Sequence, residues 1–405
     1  MPYRSFPRGA LLALGVCLLA TACAAASTAS SSSGGPPEAG GATGENASRT
    51  PEATEWAAIR AAASGQTVRW WLYGGDERVN RYVDEHVVPA AARAGVTLER
   101  VPVADTADAV QRVVAVMQAG ETAGSVDLIW INGENFAVGK RAGLWLEDWA
   151  GELPNARYVD PATVETDFGL PVEGQESPWS RALFVYAHDT ARMPDPPRTF
   201  EALLAYAREH PGRLTYPAPP DFTGAAFVRQ VVQALGEDEG FAYLRQLEPL
   251  LWREGKAHPG SEAELNQLFG DGQVDLAMSY DPSFVETAVR QGAFPDTVRP
   301  FVLDHGTLHN VSYVTVPVNA GSREGALVVA NLLLDPDLQA RKADPDVLGV
   351  PTVLDPDRLA ADDRNRLQRR SASPYLLSEV GRLIDELPVD RVEPLEQRWR
   401  AGVLP

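Results

Sequence analysis

The chain has 405 residues and a formal net charge of −19. This length suits two domains of about 100–200 residues each, and the acidic balance argues against nucleic acids or anionic lipid surfaces as partners, because both are polyanions. Both cysteines, Cys17 and Cys23, lie near the start, so the rest of the chain can form no disulfide, thiolate nucleophile or cysteine metal site.

The first predicted element is an export signal. Arg4 and Arg8 precede an apolar run over 11–19, and small residues then lead to Cys23. This order is typical of a lipoprotein signal, and the run is too short for a membrane-spanning helix, which needs about 20 residues. We expect residues 1–22 to be removed and Cys23 to be acylated. An ordinary secretory signal with incidental cysteines is the alternative.

Residues 23–53 are predicted to form a flexible linker. They are rich in Ser, Gly, Pro and Ala and contain almost no large apolar side chains, so burial cannot offset the entropy lost on ordering. The folded body would then be tethered to the outer face of the cytoplasmic membrane, or would lie in the periplasm.

The next part of the chain alternates strands and helices. Predicted in order are a strand over 67–73, a helix capped by Asp76, a strand over 96–103, a helix capped by Asp105, and a strand over 126–131. Such alternation indicates an α/β fold with a largely parallel sheet covered by helices on both faces. In sheets of this kind, ligands bind outside the carboxyl ends of the strands.

The alternation starts again after residue 182. Strands are predicted over 182–186, 213–216, 274–280 and 311–317, and helices begin at Thr199, after Asp221 and at about Glu324. Two crossings, near 179–186 and 300–317, would make the second half an insertion in the first. We therefore predict one lobe from 54–181 and 310–405 and another from 182–309, which could close around a ligand.

Three segments carry a resemblance to a known family: 71–76, 127–136 and 214–229, where the last reads LTYPAPPDFTGAAFVR. With them the chain resembles the extracellular solute-binding proteins of ABC importers, and more narrowly the YnjB-type subgroup, from about Val68 to Asp355. The resemblance implies a type II periplasmic-binding fold with two lobes. It also implies a permease and its ATPase as partners. The wider group includes binders of thiamine, polyamines and ferric iron.

Polar turns and aromatic residues at predicted strand ends and crossings supply the candidate site. Glycines let a ligand approach the backbone, and asparagine side chains both donate and accept hydrogen bonds. For the turns at helix starts the alternative role is capping, and for Trp179 it is core packing. The candidate ligand-binding residues are Gly74, Gly75, Asp76, Asn132, Gly133, Glu134, Asn135, Trp179, Asp221, Phe222, Thr223, Ser279, Tyr280, Asp281, Asn310 and Ser312.

The charges in these turns indicate the ligand class. Glu134, Asp221 and Asp281 are acids, and Trp179, Phe222 and Tyr280 are the aromatic residues expected near them. Acids with aromatics suit an organic cation, through charge pairing and cation–π attraction. A thiamine-like or polyamine-like ligand is expected, with a sugar, a peptide or ferric iron as alternatives. No Tyr-Tyr pair is present to favour ferric iron.

The other functional classes are less well supported. Asp281, Ser279 and either His305 or His309 could be drawn as a catalytic triad, but no G-x-S-x-G motif accompanies them. The histidines are scattered and no H-E-x-x-H motif occurs, so neither a metal site nor a cofactor is predicted. We expect a monomeric, non-enzymatic protein that captures its solute by lobe closure. A ligand-sensing lipoprotein without transport is the alternative.

Overall fold

The computed structural model describes residues 51–367, 373–377 and 380–404. The predicted signal, Cys23 and nearly all of the predicted linker lie outside these residues. Within the described ranges, no helix has both the length and the apolar character needed to cross a bilayer.

Strands and helices alternate along the described chain. The strands are β1 Thr67–Tyr73, β2 Thr97–Val103, β3 Leu128–Ile131, β4 Thr166–Asp167, β5 Leu170–Pro171, β6 Glu176–Leu183, β7 Val185–Asp189, β8 Leu276–Ser279, β9 Val298–Phe301, β10 Thr307–Thr315 and β11 Leu383–Asp385. The α-helices are α1 Pro51–Ala63, α2 Glu77–Tyr82, α3 Val88–Arg93, α4 Thr106–Gln118, α5 Gly133–Arg141, α6 Phe200–Glu209, α7 Phe222–Leu235, α8 Glu237–Leu247, α9 Glu262–Gly270, α10 Phe284–Arg290, α11 Arg323–Leu333, α12 Pro336–Ala343, α13 Ala361–Leu367 and α14 Val389–Gly402. A π-helical turn, Val83–Val87, joins α2 to α3. Short 3-10 turns are Ala150–Glu152, Pro154–Tyr158, Pro161–Thr163, Glu248–Leu250, Trp252–Gly255 and Pro356–Arg358.

The larger sheet has the order β11-β10-β3-β1-β2, and β6 also pairs with β10. β1 runs parallel to both β2 and β3, whereas β10 runs antiparallel to β3 and to β6. The parallel strands confirm the alternation seen in the sequence, and β1 has the predicted bounds. The smaller sheet, β8-β7-β9, is antiparallel throughout.

One predicted strand does not form. Residues 213–216 make isolated backbone bonds: the Leu214 carbonyl accepts from the Trp252 N–H at 2.8 Å, and the Arg213 carbonyl accepts from the Asp275 N–H at 2.8 Å. The prediction is wrong because neither partner segment pairs with residues 213–216 through a continuous series of backbone hydrogen bonds. The prolines from Pro217 onward also lack the N–H groups needed to extend such pairing.

The described residues pack into two hydrophobic cores. Trp179 on β6 and Tyr313 on β10 belong to the first core, whereas Leu183 and Leu308, on the same two strands, belong to the second. β6 and β10 therefore run from one core to the other, as two hinge strands would. The α/β, two-lobed fold class is confirmed, while the exact lobe limits stay a prediction.

The C-terminal helix differs from its predicted placement. Leu395 and Trp399 of α14 pack in the second core rather than the first. The indole Nε1 of Trp399 donates to the Tyr216 hydroxyl at 2.9 Å, and its ring lies 5.5 Å from His258. The range 310–405 is thus shared between the two cores.

Candidate functional site

The turn after β1 is tightly fixed. Asp76 caps α2, because its carboxylate accepts from the backbone N–H groups of Arg78 at 2.8 Å and Val79 at 3.2 Å. At Gly74 there is no room for a side chain, since an added Cβ would lie 2.6 Å from the Cβ of Pro102. Gly75 and Asp76 follow in the same turn. The predicted capping role of Asp76 is confirmed, and the turn sets the position of Arg78.

Arg78 connects the two cores. Its guanidinium donates to the Ser283 Oγ at 2.6 Å and the Thr287 Oγ1 at 2.5 Å, and also to the Leu348 carbonyl. Ser283 precedes α10, whose first residues pack in the second core, while α2 packs in the first. The sequence analysis missed Arg78, because its partners lie far away along the chain.

Asp281 lies 3.7 Å from the Arg78 guanidinium. Its Oδ1 accepts from the Ser283 backbone N–H at 2.8 Å and from the Ser283 hydroxyl at 2.6 Å. Burial raises the pKa of Asp281, while Arg78 and Ser283 oppose that rise and the charge of Asp76 adds to it. Asp76 and Asp281, predicted from different lobes, therefore lie within electrostatic range of each other.

A second group of acids surrounds the start of α7. Asp221 caps α7 through a 2.9 Å bond from a backbone N–H of the first turn. Thr223 donates from its hydroxyl to Glu262 at 2.5 Å. Burial raises the pKa of Glu262 to about 7; hydrogen bonds from Thr223 and Ser279 oppose the rise, and the charges of Asp281 and Asp221 add to it. Glu262 was not predicted, since it begins a different helix, α9.

The structure exposes two aromatic rings next to these turns. Among the described residues, Tyr73 and Phe222 are the only exposed Phe, Tyr or Trp side chains. The Phe222 ring lies 5.0 Å from the ring of Tyr280, and the Arg229 guanidinium lies 5.5 Å from the Phe222 centroid. Tyr280 is buried and donates its hydroxyl to Glu386. Phe222 thus stays partly exposed to solvent, while Arg229 and the buried Tyr280 lie against its ring.

The predicted turn 132–135 forms the start of α5. Asn132 occupies the N-cap position, but its side chain makes no capping bond. The Gly133 N–H donates instead to the buried carboxylate of Asp167. Within the described ranges, the side chains of Asn132, Glu134 and Asn135 make no hydrogen bond to another residue. Capping, the alternative role for this turn, is therefore performed by a residue outside it.

Three predicted residues lie on the hinge strands and are buried. Trp179 packs in the first core, with its ring 5.6 Å from Trp70 and 5.0 Å from Trp130. Core packing, its alternative role, therefore accounts for Trp179, and its predicted ligand contact finds no support here. Asn310 and Ser312 lie on β10, and the Oδ1 of Asn310 has no hydrogen-bond partner in the described structure.

The residues drawn as a catalytic triad are not assembled. The His309 Nε2 lies 2.8 Å from the carboxylate of Asp385, and His305 stacks on Phe200 with ring centroids 5.3 Å apart. Ser279 instead accepts from the Asp281 backbone N–H at 2.9 Å. Among the side chains that the structure describes, no group of three His, Cys, Asp or Glu is placed to hold a metal ion.

Comparisons with known proteins agree with this architecture. A sequence profile described as bacterial extracellular solute-binding protein matches residues 86–357. The chain is similar to protein YnjB of Escherichia coli strain K12, with 40% identity over 372 residues, 87% of this chain and 95% of that protein.

Solved structures show the same fold at low identity. One is the periplasmic binding protein AfuA from Actinobacillus pleuropneumoniae with exogenous fructose-6-phosphate bound: TM-score 0.59, 14% identity, 84% of this chain and 99% of that one. Another is a putative spermidine/putrescine ABC transporter from Listeria monocytogenes: TM-score 0.55, 14% identity, 82% and 98% coverage. The type II two-lobed fold predicted from the sequence is thereby confirmed.

Proposed function

We propose that this chain, which belongs to the bacterial extracellular solute-binding protein family, captures a small organic cation between its lobes and delivers it to an ABC importer permease. The single observation that carries the choice of a cation is the acidic group formed by Asp221, Glu262 and Asp281 beside the exposed ring of Phe222.

The acidic group favours a positive charge. The three carboxylates are close enough for the charges of Asp221 and Asp281 to raise the pKa of Glu262. A cationic group placed among them would relieve that repulsion and gain charge-assisted hydrogen bonds. Phe222 adds an exposed ring face for cation–π attraction. Thiamine-like compounds and polyamines carry the positive charge that such a site would bind.

The helix ends near the site argue against an anion. A helix N-terminus attracts anions through its free N–H groups and its dipole. In this protein, carboxylates already accept from those N–H groups: Asp76 at α2, Asp167 at α5 and Asp221 at α7. A phosphate or carboxylate ligand would have to compete with these internal acids, so a sugar phosphate is the weaker candidate.

Capture would be reversible and non-covalent. A ligand that contacts residues of both lobes binds the closed form more tightly than the open form and shifts the population toward it. Arg78 supports such a closure, since its bonds to Ser283 and Thr287 link the two cores. The closed form would then dock on the permease, which works with its ATPase.

The anchor is part of the proposal. Acylation of Cys23 would hold the monomeric protein at the outer face of the cytoplasmic membrane, and residues 24–50 would serve as its tether, since the last predicted linker residues, 51–53, begin α1. Labelling of expressing cells with a clickable fatty acid tests this: the wild-type chain should be labelled, and a Cys23→Ser variant should not. Equal labelling of both would contradict acylation at Cys23.

The ligand class is tested by a binding panel. The purified protein is screened by thermal shift, with calorimetry on the hits, against thiamine and its phosphates, polyamines, ferric chelates, sugars and short peptides. We expect an organic cation to bind, and Asp281→Asn to weaken it about tenfold, or about 1.4 kcal/mol. Glu121→Gln, which removes an exposed acid elsewhere, is the control and should have no effect. Binding of only neutral sugars or anions would overturn the cation assignment.

A further inference from the structure

Asp167 caps α5 from outside the helix. It lies on β4, its side chain is buried, and its Oδ2 accepts from the backbone N–H of Gly133, the first residue of α5. Gly133 has a positive φ of 53°, and a Cβ at this position would lie 3.3 Å from the ring of Phe168. The loop that carries Asp167 and Phe168 is therefore packed directly on the start of α5.

The side chain of Asn132 does not cap α5. Asparagine at an N-cap normally accepts from the N–H of the second or third helical residue. Asn132 occupies the N-cap position with extended backbone angles, yet its side chain makes no such bond. Its amide is therefore available to a ligand, together with the side chains of Glu134 and Asn135.

A second buried acid lies within electrostatic range of Asp167. Glu176 on β6 is fully buried, and neither of its carboxylate oxygens has a hydrogen-bond partner in the described structure. Two buried carboxyl groups in one site cannot both ionise without a large cost in free energy. One of the two must therefore keep its proton, and the surroundings decide which.

Of the two acids, Asp167 is the one that ionises more readily. Burial raises the pKa of Asp167 to about 7, and the bond from Gly133 opposes that rise. Burial and the charge of Asp167 raise the pKa of Glu176 well above its usual range, and Lys140 only partly opposes this. Glu176 thus stays protonated where Asp167 ionises, since differing environments separate the two acids.

The other charged and titratable groups nearby are already engaged. Tyr313 on β10 donates its hydroxyl to the Thr166 carbonyl at 3.2 Å, and Lys140 on α5 pairs with Glu173 at 2.8 Å. The charge of Arg181 on β6 lowers the pKa of Tyr313 rather than that of either acid, and Arg181 pairs with Asp160. None of these groups neutralises Asp167 directly.

We propose that Asp167 is a positioning residue for the ligand: by holding the Gly133 N–H from outside the helix, it fixes the turn 132–135, whose side chains are free to bind. This inference rests on the proposed function, because it assigns part of the same ligand site. Ionised Asp167 holds the Gly133 N–H strongly, through charge and the helix dipole. Protonated Asp167 holds it weakly, so the turn 132–135 is less firmly fixed and ligand affinity falls.

The cap itself is tested without ligand. The backbone amide resonance of Gly133 is followed by NMR from pH 5 to 9 in the purified protein. We expect it to titrate with a midpoint near 7, to stop titrating in Asp167→Asn, and to keep the wild-type midpoint in Glu176→Gln, which mimics the protonated acid. Absence of titration in the wild type, or its persistence in Asp167→Asn, would overturn the inference.

The positioning role is tested on the cation that binds in the panel. Affinity is compared in a Glu262→Gln background, because Glu262 also titrates near pH 7. There it should fall about tenfold from pH 8 to pH 5.5, adding Asp167→Asn should remove this dependence, and adding Glu176→Gln should leave it unchanged. Asn132→Ala should weaken binding about tenfold without lowering the unfolding midpoint, because Asn132 does not cap α5. A drop in that midpoint, or a wild-type profile in Asp167→Asn, would contradict the role. If no panel cation binds, the proposed function fails, while the Gly133 titration still decides the cap.

Discussion

Arg78 and Asp281 lie 3.7 Å apart and join elements of different hydrophobic cores, since α2 packs in the first core and the segment of Asp281 leads into α10 of the second. The same guanidinium bonds to Ser283 and Thr287. In the proposed lobe closure, this contact would form only when the two lobes are close together. It would then stabilise the closed form relative to the open form.

Removing Arg78 should weaken ligand binding. Arg78→Met deletes charge-assisted bonds that favour the closed form, and such bonds contribute about 1.5–3 kcal/mol each when buried. Partial exposure and competing water reduce this, so we expect about a tenfold loss of affinity by calorimetry and a larger radius of gyration by X-ray scattering with ligand present. Arg81→Met, an exposed neighbour on α2, should have neither effect. Tighter binding in Arg78→Met would show that Arg78 competes with the ligand instead.

Phe222 should contribute to affinity but not to folding. Its side chain is 45% exposed, so Phe222→Ala removes little buried area. Cation–π contacts are worth about 0.5–2 kcal/mol, so we expect affinity for the bound cation to fall roughly 3- to 30-fold in calorimetry, with the unfolding midpoint nearly unchanged. Val164→Ala, another exposed apolar residue, serves as the control. Full retention of affinity would exclude Phe222 as a ligand contact.

Glu134 and Asp281 should differ in what they do for stability. Glu134 is exposed and makes no hydrogen bond among the described residues, whereas Asp281 bonds to Ser283 and pairs with Arg78. Glu134→Ala should weaken cation binding and leave the unfolding midpoint of the ligand-free protein unchanged. Asp281→Ala should weaken binding and also lower that midpoint. Equal losses of stability in both variants, measured by thermal unfolding, would show that Glu134 is structural.

The buried pair of Arg229 and Glu386 should be essential to the second core. Two bonds of 2.7 and 2.9 Å join them, and both side chains are almost completely buried. Removing one partner leaves an uncompensated buried charge, so Glu386→Ala should lower the free energy of unfolding by about 3–5 kcal/mol. The double change Arg229→Met with Glu386→Leu should recover much of this loss in urea denaturation. A loss below about 1 kcal/mol in Glu386→Ala would contradict a buried charge pair.

Glu262 should make stability depend on pH. Its pKa is raised to about 7 in the folded protein, from about 4.3 for an unperturbed glutamate. The folded state then binds more protons than the unfolded state between these values, so Glu262 lowers the free energy of unfolding as pH rises from about 4 to 7. Urea titrations at several pH values should show a flatter profile in Glu262→Gln. Identical slopes would contradict the raised pKa.

Cation binding should release a proton from the same residue. A positive ligand next to Glu262 favours its ionised form and lowers its pKa, so protons leave as the ligand enters near pH 7. Calorimetry in two buffers of different ionisation enthalpy measures this release. Glu262→Gln should reduce it to the part that Asp167 contributes, and a wild-type enthalpy that is independent of the buffer would count against a cation at this position.

Local features were predictable from the sequence. The bounds of β1 follow from its aromatic and β-branched composition, and Asp76, Asp105 and Asp221 cap the helices that the sequence assigned to them. A cap acts on N–H groups two or three residues away, so a short stretch of sequence is enough to predict it. The parallel β1-β2-β3 arrangement follows from the alternation of such elements.

The tertiary structure decided which residues act together. Glu262 lies within electrostatic range of Asp221 and Asp281, Arg78 bonds to Ser283, and Asp167 accepts from the Gly133 N–H, although none of these partners is close in sequence. α14 likewise packs in the second core, where the Trp399 indole donates to the Tyr216 hydroxyl. Charge, burial and hydrogen bonding depend on neighbours in space. The sequence by itself therefore determined most of the elements and the family, while the electrostatics of the site came only from folding.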